Sequence, residues 1–262
     1  MPLRTNNPLR SSNPALRSKV FQNLPATTGE PMTINGTLAR TGLLLLLMLI
    51  TGTWTWMHFM AATAAANGNL AAGANAVTPF LIGGVILGLV FAFAGAFKPN
   101  WSPITAPLYA LAEGTALGGI SAMYAVQYHG IVLQAILASV GVLVAMLVLY
   151  RTGVIKVTQK FRTGVTAATF GILLLYLVSW GLSAFTHVNT SILFGGGTIS
   201  ILISIFVVCI AALNLVLDFD LIEQANEAGA PKYMEWYCAF ALMVTLVWLY
   251  LELLRLLANT RR

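Results

Sequence analysis

Seven long apolar runs, separated by short polar connections, constrain the fold of this chain more than any other feature of its sequence. The hydrocarbon core of a bilayer is about 30 Å thick, so a spanning helix needs about 20 mostly apolar residues. Runs of that length are Thr41–Met60, Val77–Phe97, Ile104–Tyr124, Ile131–Tyr150, Thr163–Phe185, Thr198–Leu217 and Tyr237–Leu257. Only 8% of the residues are charged, against about 25% in a soluble globular protein. The sequence therefore predicts an all-α, polytopic membrane protein with seven transmembrane helices.

The chain divides into two predicted regions. Residues 1–40 are rich in Asn, Pro, Ser and Arg, and we expect them to form a disordered basic tail that lies against anionic lipid headgroups. Residues 41–262 form the seven-span membrane domain. The polar region before the first apolar run is too long for a signal peptide, so we expect the first helix to be retained.

The distribution of Lys and Arg predicts the orientation, because these residues concentrate in cytoplasmic connections. The first, third and fifth connections have none, whereas the tail and the second and fourth connections carry Arg4, Arg10, Arg17, Lys19, Arg40, Lys98, Arg151, Lys156, Lys160 and Arg162. This pattern places the N-terminus in the cytoplasm. Arg255, Arg261 and Arg262 would then lie outside, so the seventh helix either crosses despite them or is re-entrant.

No catalytic motif is present in the sequence. Ser-His-Asp arrangements, HExxH, Walker and Rossmann motifs are all absent, so we expect no enzyme, no cofactor, no certain metal site and no nucleic-acid partner. His58, His129 and His187 fall at the ends of predicted spans, and Cys209 and Cys238 fall in or beside apolar runs. The GxxxG spacing of Gly114 and Gly118 indicates close helix packing.

Carboxylates at membrane depth are the candidate functional residues, because a buried charge in a bilayer is costly. Glu113 lies midway along the third span and is either functional or a protonated packing residue. Asp218 and Asp220 close the sixth span, where they could simply end the helix in water; two residues apart, they do not share a helix face. Glu252 precedes Arg255 by three residues, which favours an ion pair along one face.

Several stretches of the chain resemble the Bax inhibitor-1 family, and specifically its bacterial YccA-like branch. The resemblance covers roughly residues 30–258. It rests on KPNWSPITAPLYALAEGTALGGIS, YRTGVIKVTQKFRTGV, LDFDLIEQ, APKYMEWY and WLYLELLRLL. It implies a multi-pass protein of the bacterial inner membrane in which six helices surround a central seventh. It also implies a pH-sensitive calcium leak channel, in which two aspartates that share a proton act as the sensor.

The residues that this resemblance implies are only partly present. Asp218 matches the first aspartate of the pair, but the second falls at Thr245 when counted back from Arg255. Glu252 is seven residues further on, two turns along the same face. Lys98 loosely matches a basic residue that closes the second span in relatives and can pair with the first aspartate. The sensor pair is therefore not intact in this chain.

Two functions are compatible with these observations. In the first, the protein passes or senses cations, calcium or protons, through an acid-lined path. Asp218 would be its cytoplasmic gate, Asp220 and Glu223 would concentrate cations, and Glu113 or Glu252 would be the second carboxylate. Low pH would close or alter this path. In the second, the protein transports nothing and binds a membrane protease or a factor of membrane-protein quality control through its tail and loops.

Overall fold

The computed structural model describes residues 30–186 and 197–261 of the chain. Seven long helices lie within these ranges: α1 Ile34–Ala65, α2 Leu70–Phe97, α3 Ser102–Gln127, α4 Ile131–Arg151, α5 Gln159–Thr186, α6 Thr198–Glu227 and α7 Met234–Thr260. A short 3-10 turn, Pro99–Trp101, joins α2 to α3. Each predicted span lies inside one of these helices, so the prediction of an all-α fold built from seven helices is confirmed.

Six of the seven described helices are long and apolar enough to cross a membrane, and α3 is the exception. Large apolar side chains cover the outer faces of the other helices, for example Leu89, Phe93, Leu137 and Trp180, which are all more than half exposed. Such a surface requires lipid around it. The chain is therefore a multi-pass membrane protein.

The first helix begins inside the region that the sequence assigned to the tail. Thr33 caps α1, and its hydroxyl accepts a hydrogen bond of 2.9 Å from the backbone N–H of Gly36, which satisfies an otherwise unpaired donor. The helix therefore begins at Ile34, seven residues before the first predicted span. The remaining tail, residues 1–29, lies outside the described residues, as do residues 187–196 with His187, and Arg262.

Successive helices run in opposite directions, so the bundle has two ends. The backbone N–H of Met32 donates to the carbonyl of Ala230, which brings the start of α1 beside the α6–α7 connection. We call this the basic end, because it holds Arg40, Lys98, Arg151, Lys156, Lys160, Arg162 and Lys232. The opposite, distal end holds the α4 start and the α7 terminus, where Arg261 donates to the carbonyl of His129 over 2.8 Å.

The last helix runs the full length of the bundle. Its 27 residues extend for about 40 Å, from the basic end to the distal end. It packs against α1, α3, α4 and α6. The helix is long and apolar enough to cross a membrane, which favours the crossing alternative for the seventh helix over the re-entrant one, and Arg255 and Arg261 lie in the distal half of the molecule.

The third helix is held between α1 and α2 by very small residues. A Cβ on Gly118 would overlap the backbone of Gly52 in α1, and a Cβ on Gly114 would overlap Thr51 and the backbone of Met48. The GxxxG spacing predicted this close approach, which lets helix backbones touch. Half of the 26 residues of α3 are buried.

We expect Gly118→Ala to destabilise the protein, because the new methyl group meets backbone atoms of Gly52 that cannot rotate away. Overpacking of this kind costs about 1–3 kcal/mol, which would lower the midpoint of thermal denaturation measured in detergent. Gly141→Ala is the matched control, since a Cβ there has no atom within 4 Å. Equal midpoints for the two variants would contradict this account of α1–α3 packing.

Candidate functional site

Asp218 lies on the face of α6 that packs against α7. Its oxygen Oδ2 is buried and has no hydrogen-bond partner within residues 30–186 and 197–261. Thr245 in α7 faces this carboxylate, and its hydroxyl donates to the backbone carbonyl of Ala241 over 3.3 Å. No basic residue of the described chain forms an ion pair with Asp218. Burying a carboxylate oxygen without a partner costs free energy, and the cost is larger inside a membrane.

Asp220 faces away from Asp218, as their spacing of two residues predicted, and so does Glu223. Asp220 forms an ion pair with Arg162 at the start of α5 and accepts a hydrogen bond from Gln224. Glu223 accepts a hydrogen bond from the hydroxyl of Tyr150 at the end of α4. Both acids line a cleft of about 340 Å³ at the basic end, together with Tyr150, Arg151, Gly153, Ile155, Lys156 and Val157. These two acids thus lie at the surface of the basic end rather than at the α6–α7 contact.

Glu252 forms a separate charged cluster deeper in the bundle. Only 5% of this residue is exposed. Its Oε1 accepts a hydrogen bond of 2.6 Å from the hydroxyl of Tyr176 in α5, and its Oε2 lies 3.6 Å from Nη1 of Arg255. Arg255 in turn donates to the Tyr176 hydroxyl over 2.8 Å. The ion pair that the three-residue spacing favoured is present, so Glu252 is neutralised by its own helix and lies two turns beyond Thr245.

Glu113 and Lys98 lie elsewhere. Glu113 is half-buried on α3 and faces Gly88 of α2, where a Cβ would stand 2.7 Å from its Oε2. It has no ion pair or hydrogen bond with any described residue. Lys98 caps α2 and is exposed, with its Nζ 4.2 Å from the centre of the Trp101 ring. The structure therefore brings neither residue to Asp218.

A fully buried acid, Glu235, was missed by the sequence analysis as a site residue. It lies at the start of α7 with 0% exposure. Nε of Arg40 in α1 lies 3.1 Å from its Oε2, and Nζ of Lys232 lies 3.6 Å from its Oε1. The backbone N–H and the hydroxyl of Thr33 donate to Oε1 over 3.0 and 3.1 Å. A Cβ on Gly36 would overlap this carboxylate, so glycine is required there.

This acid ties the beginning of the described chain to its last helix. The guanidinium of Arg40 also stands 5.4 Å from the centre of the Trp236 ring, and Lys232 reaches Glu30 over 3.3 Å. Hydropathy gave no signal for this arrangement, because Glu235 falls between two apolar runs and looks like a solvated loop residue. Its place in the APKYMEWY stretch was the available clue.

Together these features define a class of protein: a multi-pass helical membrane protein with carboxylates held between its last helices. Comparison with known protein families narrows this class to one family. The family described as Bax inhibitor 1 like matches residues 13–262, nearly the whole chain. The protein belongs to this family. No curated protein and no solved structure gives a significant match to the chain.

Proposed function

We propose that this Bax inhibitor-like membrane protein is a cation leak pathway whose gate is the carboxylate of Asp218. The observation that supports the proposal best is the position of that carboxylate at the α6–α7 contact, where its Oδ2 is buried and has no hydrogen-bond partner among the described residues. A buried group of this kind is a functional candidate in a membrane protein, because an apolar residue would cost less there.

The gate would work through the charge of one carboxylate. When Asp218 is ionised, it attracts a cation to the α6–α7 contact; when it is protonated, that attraction is lost, so low pH closes the path. Asp220 and Glu223 line the cleft at the basic end, where they would raise the local concentration of cations. Thr245 would orient the Asp218 carboxylate through its hydroxyl.

The proposal also includes the arrangement of the helices, their orientation and the membrane in which the protein lies. The contacts of α7 with four other helices support an arrangement with α7 at the centre. The collection of basic residues at one end supports a cytoplasmic location for that end and for the N-terminus. The YccA-like motifs support the bacterial inner membrane as the location.

The test is cation uptake into liposomes that contain the purified protein. A potassium gradient with valinomycin drives uptake at pH 6 and at pH 8, and a dye inside reports calcium in one preparation and protons in another. We expect uptake of at least one cation above that of empty liposomes. The ratio of wild-type to Asp218→Asn uptake should be larger at pH 8, because protonation at pH 6 makes the aspartate resemble asparagine.

Glu30→Gln is the control variant, since the Glu30 side chain is 84% exposed and lies at the same end. It should keep the wild-type dependence on pH. A ratio for Asp218→Asn that is the same at both pH values removes Asp218 from the gate.

A second candidate function, a non-transporting interaction protein that binds a membrane protease or quality-control factor, is favoured by the Glu235 cluster. Glu235 bonds to Thr33 and Arg40, and these bonds hold the start of α1, just after the tail, in a fixed position. A protein that presents its tail to a partner needs such a fixed attachment point. The uptake experiment separates the two functions, because an interaction protein admits neither cation.

A further inference from the structure

The last helix carries a row of buried polar side chains that the proposed gate alone does not explain. Thr245, Glu252 and Asn259 follow one another at seven-residue intervals, which places them on one face at steps of two turns. They are 9%, 5% and 4% exposed. Every member of the row is therefore inside the protein, at three successive depths.

Each member of the row meets a polar partner on α5 or α6. Thr245 faces Asp218, and Glu252 accepts the hydrogen bond from Tyr176. At the distal level, Nδ2 of Asn259 lies 3.0 Å from Oγ of Ser200 and 3.3 Å from Oγ of Ser204, and both serines are fully buried.

A further polar pair extends the first level. Asn214 lies one turn before Asp218 on α6, and its amide donates to the hydroxyl of Thr169 in α5 over 2.8 Å. Polar groups therefore accompany the contact of α7 with α5 and α6 from Asp218 near the basic end to Asn259 near the distal end. A bundle held only by packing would fill most of these positions with apolar side chains.

The chemistry of the row suits protons better than a divalent cation. Calcium takes 6–8 oxygen ligands at 2.3–2.6 Å, and the described residues contain no cluster of three or more acidic, histidine or cysteine side chains that could hold a metal. At the middle level a guanidinium, Arg255, already compensates Glu252. Hydroxyl and carboxyl groups, in contrast, can each accept a proton on one side and release one on the other.

We propose that this row is the route across the membrane and that the cation it carries is the proton. The inference rests on the proposed function and names its ion and its path. Asp218, Glu252 and the two serines exchange protons, and Asn259 positions the serine hydroxyls. Seven helical residues span roughly 10 Å, so water molecules link successive levels. Each group returns to its starting state after a proton has passed, so nothing is consumed.

The experiment compares two kinds of serine-to-alanine change in the same liposomes: one at serines that contact the row, and one at a serine that does not. The double variant Ser200→Ala/Ser204→Ala removes both hydroxyls of the distal level. Ser121→Ala is the matched control, because Ser121 is also buried and shares a hydrogen bond of 2.7 Å with α7, but through Tyr250, which is off the row. We expect proton uptake to fall at least roughly fivefold in the double variant and to stay at the wild-type level in the control.

The outcomes distinguish the route from the proposed function. Proton uptake that is unchanged in the double variant, or calcium uptake without proton uptake in the wild type, overturns the route and leaves a cation pathway standing. Absence of both ions in the wild type removes the pathway itself. If the double variant does not purify as a folded protein, Tyr176→Phe removes a hydroxyl from the middle level and carries the same expectation.

Discussion

Arg40→Ala should strongly destabilise the protein, because it leaves a fully buried carboxylate without its nearest cation. The Arg40 side chain is 28% exposed, but the Glu235 side chain that it meets at 3.1 Å is 0% exposed. Breaking a buried ion pair by removal of one member costs about 3–5 kcal/mol. Since Lys232 stays at 3.6 Å, we expect a loss near the lower end, about 3 kcal/mol. A marked fall in the midpoint of thermal denaturation in detergent would record it.

Replacing the acid and replacing the arginine of the Arg40–Glu235 ion pair should lower the stability by different amounts. Glu235→Gln should cost less than Arg40→Ala, because Arg40 and Lys232 are partly exposed and can turn toward water. Lys160→Ala is the control for loss of a positive charge at this end. Lys160 is exposed, and among the described residues it has no acidic partner, so a change within about 0.5 kcal/mol is expected. A larger loss for Glu235→Gln than for Arg40→Ala would disprove the buried-acid explanation.

Thr245→Asp should make the stability of the protein depend steeply on pH. It places a second carboxylate against Asp218, in a site where two adjacent carboxylates cannot both ionise cheaply. In the folded protein the pair then retains a proton that the same two aspartates release in the unfolded chain. The free energy of unfolding therefore falls as the pH rises. At pH 8 we expect a loss on the order of 2–4 kcal/mol relative to the wild type. Most of it should be regained at pH 5.

Thr245→Asn separates charge from shape in this experiment. Asparagine has nearly the size of aspartate but no charge, so its denaturation midpoint should follow the wild-type dependence on pH. If Thr245→Asp shows no additional dependence on pH, its side chain does not meet Asp218. The contact that underlies the proposed gate would then be absent.

Hydropathy located all seven helices but not their true ends. The second predicted span began at Val77, whereas α2 begins at Leu70, because the side chain of Asn69 caps it by accepting a bond from the N–H of Ala71. The sixth predicted span ended at Leu217, whereas α6 continues to Glu227. Backbone hydrogen bonding extends a helix beyond its apolar part, and a hydropathy window detects only the apolar part.

The site could be predicted in part, and the family resemblance carried that part. Counting back from Arg255 placed the family's second aspartate at Thr245, and in the structure Thr245 faces Asp218. The Glu252–Arg255 pair followed from spacing along one helix. The link between Arg40 and Glu235 could not be found in this way, because it joins helices at opposite ends of the chain and depends on how the bundle folds.

The small residues of α3 also bear on how the chain enters the membrane. This helix is not among those apolar enough to cross on their own. Its Gly114 and Gly118 fit closely against the backbone of α1, and Gly84 of α2 fits closely against the backbone of α3. During synthesis α3 leaves the ribosome after those two helices. We therefore expect α3 to insert stably only when α1 and α2 are still beside the translocation channel, so that the three helices enter the membrane cooperatively.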